Sequence, residues 1–324
     1  MKRFRRLRKT KAIRSLVQET TLDLNDFIYP LFVVEGTGIK TEIPSLPQVY
    51  HFSVDELVKE AGQIFELGLD KILLFGLPEA KDALGTGAYA MDGIVQQGIR
   101  AIKAAYPDMY VVTDVCLCQY TDHGHCGCLS ADGTVINDET LVLLGKIAVS
   151  HAEAGADMVA PSDMMDGRIS FMREALDAAG YSDVAIMSYA AKYCSNYYGP
   201  FREAAHSAPQ FGDRKTYQMD YHNRKEASRT VRADLEGGAD IVMVKPALSF
   251  LDIVRQIKDE VDVPVAVYNV SGEYSMLKMA VKTGIMNEMV IYETLVSMKR
   301  AGADIIITYF AKEMAIQYLE GKWS

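Results

Sequence analysis

Short apolar runs rich in Val, Ile and Leu alternate with longer amphipathic segments along the chain. Runs of this kind are typical of strands that are buried on both faces of a parallel sheet. Ser53, followed three residues later by Glu56, predicts the capped start of a helix between the first two runs. The eight predicted strands cover residues 27–34, 71–76, 110–115, 158–161, 184–189, 241–245, 263–268 and 305–309.

The junction from helix to strand repeats along the chain. Gly155, Gly238 and Gly302 each precede an Ala-Asp pair and an apolar run, and Gly68 has a looser form of the same pattern. A glycine in the left-handed conformation commonly ends a helix, so the pattern predicts βα repeats. Eight strands alternating with helices, without Gly-x-Gly-x-x-Gly after the first strand, favour a (β/α)8 TIM barrel. A doubly wound open sheet is the alternative.

The catalytic groups of such a barrel lie at the carboxyl ends of its strands. Lys245 is notable there, because it ends an apolar run and precedes Pro246, which cannot continue the strand. Burial would lower the pKa of this lysine and leave a neutral amine able to attack a carbonyl. The alternative is a side chain that extends to solvent. The polar residues at the predicted strand ends are Asp114, Ser162, Asp163, Ser188, Lys192, Lys245, Ser271 and Tyr309.

A second lysine, Lys192, lies just past a predicted strand end, within a segment rich in tyrosine. Aromatic neighbours and a nearby lysine are expected to lower its pKa, and two amines near neutrality suit carbonyl condensation. Arg202 and Arg214 follow in the next loop. Each offers a guanidinium for a substrate carboxylate, or is a solvated loop charge.

Four of the five cysteines lie between residues 116 and 128. Three thiolates from this segment would form a tetrahedral Zn²⁺ site with an open fourth position, and reduced thiols without a metal are the alternative. Cys116 and Cys118 are separated by one residue. The spacing leaves open which residues complete the set among Cys126, Cys128, His123 and His125.

Charge divides the chain into two unequal parts. The net charge is −9, from 34 basic and 43 acidic residues, which argues against a nucleic-acid-binding protein. Residues 1–14 carry eight basic side chains and no acidic one, leaving −17 for the remainder. We expect a basic arm, residues 1–26, that contacts a neighbouring subunit, and a catalytic barrel, residues 27–324. No signal-peptide core and no membrane-spanning run is found, so a cytoplasmic protein is expected.

Five motifs resemble the 5-aminolevulinate dehydratase (porphobilinogen synthase) family, in order from about residue 10 to the end of the chain. They lie at residues 114–127, 160–168, 198–202, 243–246 and 270–274. The resemblance implies a (β/α)8 barrel with an N-terminal arm, assembled as a homo-octamer. It also implies the condensation of two 5-aminolevulinate molecules, with loss of two waters, to porphobilinogen. This is an early step of tetrapyrrole (heme) biosynthesis.

The resemblance also implies roles for individual residues. Lys245 and Lys192 would be the Schiff-base lysines of the P and A substrate sites. Some members of the family have aspartates in place of these cysteines and use magnesium, so the cysteines of this chain imply zinc. Cys128 is an addition to the pattern, either a bystander or an alternative ligand. The other implied residues are Cys116, Cys118 and Cys126 for zinc, Ser271 and Tyr309 for the P-site carboxylate, Arg202 and Arg214 for the A-site carboxylate, and Asp114 and Ser162 lining the A site.

A separate allosteric magnesium site is a further hypothesis from the same resemblance. Part of the family holds Mg²⁺ through water at a glutamate, and residues 223–226 are similar to that segment, which places the site at Glu226. Two competing functions are less consistent with the residues. An aldolase for sugar phosphates would find a repulsive Glu273 near its phosphate, and a zinc-storage protein leaves both lysines unexplained.

Overall fold

A closed parallel barrel is the central feature of the computed structural model, which describes residues 1–323. In chain order the strands are β1 (Phe27–Val34), β2 (Lys40–Glu42), β3 (Tyr50–Ser53), β4 (Lys71–Leu77), β5 (Tyr110–Val115), β6 (Cys128–Leu129), β7 (Val135–Ile136), β8 (Met158–Pro161), β9 (Ala185–Lys192), β10 (Ile241–Lys245), β11 (Val265–Asn269) and β12 (Ile305–Thr308). The helices are α1 (Lys11–Leu16), α2 (Val54–Glu66), α3 (Ile94–Ala105), α4 (Asn137–Ala154), α5 (Arg168–Ala178), α6 (Gly199–Ala204), α7 (Lys225–Glu236), α8 (Leu251–Glu260), α9 (Ser271–Lys282), α10 (Met289–Ala301) and α11 (Ala311–Leu319).

The barrel consists of β1, β4, β5 and β8 to β12, and the pairing of β12 with β1 closes it. The predicted TIM barrel is therefore confirmed, and each predicted run forms one barrel strand. The two largest differences from the predicted bounds are at the start of β11 and the end of β9. β11 begins at Val265, after Pro264, because proline has no N–H to donate to the ladder. β9 continues to Lys192, so this lysine is the last residue of a strand rather than a residue beyond its end.

Glycines end the helices that precede several strands, as predicted. Gly155 and Gly302 adopt φ values of +106° and +119° after α4 and α10. The predicted capping box at Ser53 is wrong. Its Oγ accepts a hydrogen bond from Ile39 N at 2.9 Å and donates to Asp55, because the short β3 strand brings the chain before α2 close to this hydroxyl.

The predicted N-terminal arm has two structurally different parts. Residues 1–21 are largely exposed and include the short helix α1. From Leu22 onward the chain packs on the barrel, and Asp26 pairs with Lys299 at 2.6 Å. Across residues 1–323, none of the helices combines the length and the apolar character needed to cross a membrane.

Candidate active site

Two lysines lie side by side at the carboxyl ends of adjacent strands. Lys245 ends β10 and Lys192 ends β9, and the two residues are partners in the parallel register. Each is only 5% exposed. The Lys192 ammonium donates a hydrogen bond to the carbonyl oxygen of Ser162, which follows β8. Both amines therefore point into the barrel mouth rather than into solvent.

Aromatic rings surround the Lys245 amine. Its Nζ lies 4.2 Å from the ring centre of Tyr268, 4.9 Å from that of Tyr189 and 5.1 Å from that of Phe201. Burial, and then the positive charge of Lys192, lower the pKa of Lys245 to about 7. A substantial fraction of this amine is therefore neutral, and nucleophilic, near neutral pH.

Asp114, at the carboxyl end of β5, is the buried acid of the site. Its Oδ2 accepts a hydrogen bond from Gln119 Nε2 at 3.2 Å. Its Oδ1 is buried, and among residues 1–323 it has no hydrogen-bond partner. Burial raises the pKa of Asp114, and the charge of Lys192 opposes that shift. A buried acid of this kind can accept a proton and return it.

Cys116, Cys118 and Cys126 form a buried cluster beside the lysines. Their sulfur atoms all lie within 4.8 Å of one another, and the first two are 3.4 Å apart. Thiolates around a tetrahedral Zn²⁺, bound at about 2.3 Å, lie about 3.8 Å apart. The spacing and the soft donors thus fit zinc. Hydrogen bonds from the other two thiols lower the pKa of Cys126, so a thiolate forms there first.

The cluster bears on the choice that the spacing of the cysteine segment left open. Among residues 1–323 it is the one group of three or more His, Cys, Asp or Glu side chains arranged to hold a metal. Cys128 lies outside it, and its backbone N–H donates to Thr140 Oγ1 at 2.9 Å. His125 contacts Phe211 O at 3.0 Å and Tyr217 OH at 3.2 Å instead. His123 Nε2 lies 3.3 Å from Ala83 O.

Residues 195–215, here called the covering segment, close over the barrel mouth. They include a 3₁₀ turn at Asn196–Tyr198 and α6. His51 Nε2 lies 2.6 Å from Ala204 O, and Lys81 Nζ donates to His206 O at 2.6 Å. The segment thus places Phe201 against the Lys245 amine and keeps solvent away from it.

The four residues predicted to bind substrate carboxylates all line this region. Ser271 Oγ accepts from Phe201 N at 2.9 Å, and Tyr309 OH accepts from Tyr268 OH at 3.2 Å. Arg202 is part-buried in the covering segment. Arg214 is 4% exposed and donates to Gly124 O at 3.0 Å, close enough to the cysteine cluster to lower the pKa of Cys126 further.

Glu226, the predicted magnesium residue, lies apart from these groups. It is in the first turn of α7, on the helical layer outside the barrel, and its carboxylate accepts from Asn223 Nδ2 at 3.2 Å. It belongs to no cluster of three or more potential ligands within the described chain, residues 1–323.

Two buried charged residues have structural roles that were not predicted from the sequence. Arg168, at the start of α5, bonds with groups on β9 and α7. Glu273 does not face a substrate pocket, because its carboxylate accepts hydrogen bonds from Leu248 N and Val270 N at the ends of β10 and β11. Each follows shortly after an apolar run in the sequence, and that position was the available signal that the residue would be buried.

A parallel barrel with two buried amines, a buried acid and a trio of thiols at its carboxyl face defines a barrel enzyme suited to carbonyl substrates and a thiol-bound metal. Comparison with known proteins identifies the family. The family model for delta-aminolevulinic acid dehydratase matches residues 1–317. The chain belongs to this family.

Similar proteins match over nearly the whole length. The delta-aminolevulinic acid dehydratase of Halalkalibacterium halodurans is 58% identical over 315 residues, which cover 97% of this chain and 96% of that protein. The Bacillus subtilis protein of the same name is 56% identical over 314 residues, covering 97% of each chain. The crystal structure of the Toxoplasma gondii enzyme, in complex with the reaction product porphobilinogen, superposes with a TM-score of 0.97 at 43% identity. That match covers 99% of this chain and 92% of that one.

Proposed function

We propose that this protein is a porphobilinogen synthase that condenses two molecules of 5-aminolevulinate, with loss of two waters, through imines on Lys245 and Lys192. The in-register pair of buried lysines carries the proposal. A single Schiff-base lysine is sufficient for an aldolase, whereas two adjacent amines suit two carbonyl substrates. Family membership and the product-bound Toxoplasma gondii structure support the same reaction.

The chain's own residues supply most of the chemistry. The Lys245 amine, with a pKa of about 7, adds to the ketone of the first substrate and expels water to form an imine. Lys192 does the same with the second substrate. Asp114 Oδ1 takes protons from substrate carbon and returns them to nitrogen. When the substrate amine and carbon close the ring, both lysines leave as free amines, so two waters are lost overall.

Carboxylate binding is proposed for the residues around the covering segment. Ser271 lies at the first position of α9, where free backbone N–H groups and the helix dipole favour an anion. Ser271 and Tyr309 would bind the carboxylate of the substrate on Lys245. Arg202 and Arg214 would bind that of the substrate on Lys192, which Ser162 also borders.

Zinc is the metal proposed for Cys116, Cys118 and Cys126. When bound, it would supply a Lewis acid beside the substrate on Lys192. Metal removal by a chelator should abolish turnover, and Zn²⁺ should restore it. Cys126→Ser should lose stoichiometric zinc, whereas Cys128→Ser should retain it, because Cys128 lies outside the cluster. Zinc content of the two variants by atomic absorption tests the assignment without an activity assay, and equal zinc in both would overturn it.

Glu226 is proposed as an allosteric Mg²⁺ site, with the ion held through water. In metal-stripped, zinc-restored enzyme, added Mg²⁺ should raise activity and the fraction of large assembly, and Glu226→Ala should remove that response. Indifference of the native enzyme to Mg²⁺ would refute the site. We also propose that the basic arm contacts a neighbouring subunit and that the protein assembles as a homo-octamer. Its proposed place is in heme biosynthesis, in the cytoplasm.

Borohydride trapping tests the central step. Zinc-loaded protein is incubated with 5-aminolevulinate, reduced, digested and mapped by mass spectrometry, with Lys245→Met as the control. An adduct on Lys245, alone or together with Lys192, supports imine condensation and excludes a zinc-storage protein. If neither lysine carries an adduct, the Schiff-base mechanism is wrong.

A further inference from the structure

Strand β9 contains an extra residue relative to its neighbour β10. Ser188 pairs with Val242, and Ala191 pairs with Val244, so two residues of β9 lie opposite Met243 alone. This is a β-bulge, a feature that is rare between parallel strands and that redirects side chains where it occurs next to active sites.

The bulge decides where Lys192 points. Tyr189 faces the barrel interior, because its ring lies 4.9 Å from Lys245 Nζ and 5.6 Å from Lys192 Nζ. In a regular strand, residues three positions apart lie on opposite faces, so Lys192 would point outward toward the helices. The extra residue at Ala190 changes this alternation. Tyr189 and Lys192 therefore share the interior face, level with Lys245.

Arg168 occupies the outer side of this bulge. Its Nη2 donates to Tyr189 O at 3.3 Å, to Ser188 Oγ at 3.1 Å and to Asp234 Oδ2 at 3.0 Å. A bulge disturbs the ladder hydrogen bonds of its two residues, here Tyr189 and Ala190, and the guanidinium supplies a donor to the Tyr189 carbonyl. Arg168 is 4% exposed and Ser188 is fully buried, so water does not compete for these bonds.

The same arginine also borders the other support of Lys192. Its Nε lies 3.8 Å from Asp163 Oδ2, and Asp163 directly follows Ser162, whose carbonyl oxygen accepts from the Lys192 ammonium. Asp163 Oδ1 accepts from Met165 N at 2.7 Å, which fixes the turn after β8. One guanidinium thus contacts both the strand that carries Lys192 and the turn that receives its amine.

We propose that Arg168 is a positioning residue for the second amine: with Asp234 it holds the β9 bulge in the form that turns Lys192 into the barrel beside Lys245. The inference rests on the proposed role of Lys192 as an imine-forming residue. An arginine suits the task because its planar fork reaches several oxygens at fixed angles, which a lysine ammonium cannot do.

The test uses three variants of the zinc-loaded, full-length enzyme. Arg168→Met with Asp234→Asn removes both charges of the closest ion pair together, so that Asp234 is not left as a buried charge without its partner. Arg168→Lys keeps the charge opposite Asp234 but not the fork. Arg173→Met is the matched control, because this arginine of the same helix also donates to a backbone carbonyl next to β9, Val184 O at 2.7 Å, but at the far end of the strand.

The amount of Lys245 adduct trapped by borohydride counts the correctly folded sites in each sample. Per trapped site, kcat should fall about 100-fold in the Arg168→Met/Asp234→Asn variant, since a displacement of about 1 Å can cost that much. Arg168→Lys should lie between this variant and the native enzyme, and Arg173→Met should stay within about twofold of native. A role in folding alone would lower the number of sites and leave kcat per site unchanged.

Two results would overturn the inference. One is a kcat per site within threefold of native in both Arg168 variants. The other is loss of the Lys245 adduct in parallel with turnover, which would mean a general role in the fold. A crystal structure of the double variant gives an answer that does not depend on the reaction: Lys192 should have left the Ser162 carbonyl. If native enzyme forms no Lys245 adduct, the proposed function fails, and this structure still decides the positioning role.

Discussion

Lys245 is a buried lysine whose surroundings favour its uncharged, nucleophilic form. Aromatic rings surround its amine, and among the groups near it the strongest charge effect comes from another cation, Lys192. Both influences favour the neutral amine, and the negative charge of Asp114 opposes them only in part. The reactive form therefore increases as pH rises through about 7.

Removing the neighbouring positive charge should weaken this effect. In Lys192→Met we expect the pKa of Lys245 to rise, because protonation no longer places two like charges in one pocket. The pH at which borohydride traps half of Lys245 with 5-aminolevulinate should therefore move upward. Lys146→Met, which changes an exposed lysine on α4, is the control and should leave that midpoint in place. A midpoint unchanged in both variants would show that burial alone sets the pKa.

The lysines and cysteines were predictable as residues because each conflicts with its local pattern. A lysine that ends an apolar strand, or a group of thiols in a chain without a disulfide framework, suggests chemistry from the amino-acid order alone. The choice among thiols and histidines was not predictable. It depends on His125 meeting Phe211 and Tyr217, residues that lie about 90 positions further along the chain.

At the scale of elements, Glu273 joins the ends of two strands to the start of a helix. Its carboxylate accepts from Leu248 N at 2.8 Å, and from Asn269 Nδ2 and Val270 N at 3.0 Å each. Leu248 follows the Lys245 strand and Val270 precedes Ser271. The carboxylate therefore fixes the distance between an amine and the proposed carboxylate-binding helix terminus.

Glu273→Gln should destabilise the protein, because the glutamine NH2 group accepts no hydrogen bond and would face at least one of the donors on Leu248, Asn269 and Val270, whereas the carboxyl group presents two oxygen atoms to them. We expect a loss of about 1–3 kcal/mol in the free energy of unfolding at pH 5. Burial raises the pKa of Glu273 to about 7, so its contribution to stability is largest below its unfolded-state pKa and falls as pH rises through 7. The difference in the free energy of unfolding between the native protein and Glu273→Gln should therefore be smaller at pH 8 than at pH 5.

Urea unfolding at equal protein concentration measures this difference. Glu293→Gln, an exposed glutamate on α10, is the control and should change little. If the stability difference between the native protein and Glu273→Gln were larger at pH 8 than at pH 5, the raised pKa of Glu273 would be contradicted.

The eight barrel strands were predictable because each contains a mostly apolar run, and a helix-capping glycine precedes several of them. The bulge in β9 was not, since residues 186–191, which are apolar or aromatic except for Ser188, have no alternation from which a register can be derived. The capping box at Ser53 failed for a related reason. A local signal was overridden by a contact with Ile39, which only the folded chain brings near.

At the scale of the whole molecule, charge and exposure both concentrate at the N-terminus. Residues 1–14 carry eight positive charges against −17 on the remainder. Phe4 is 71% exposed, Leu7 54% and Leu16 79%, so the arm presents apolar side chains as well as charge. A segment of this kind is stabilised by docking on an acidic, partly apolar surface, and a second copy of this chain supplies an acidic one.

Deletion of residues 1–14 should reduce the size of the assembly while leaving the barrel folded, because the exposed arm makes little contribution to the barrel core. Analytical ultracentrifugation should show a smaller sedimenting species than the full chain at the same concentration. A variant with the eight basic residues changed to Gln separates charge from apolar contact. If charge dominates the contact of the arm, high salt should reduce the size of the assembly in the same way as this variant. An unchanged sedimentation coefficient for the deletion would remove the arm from the assembly interface.

Several contacts that hold the covering segment in place are made to its main chain. His51, Lys81 and Arg214 contact the carbonyl oxygens of Ala204, His206 and Ser207. A carbonyl oxygen is present whatever side chain is attached, so the exposed side chain of His206 can vary without loss of the hydrogen bond from Lys81. Ala204 and Ser207 are fully buried, so packing restricts those two positions to small side chains. The donors have no such freedom. Sequence drift should therefore be tolerated at the exposed accepting position of the covering segment and resisted at its buried positions and at the donor residues.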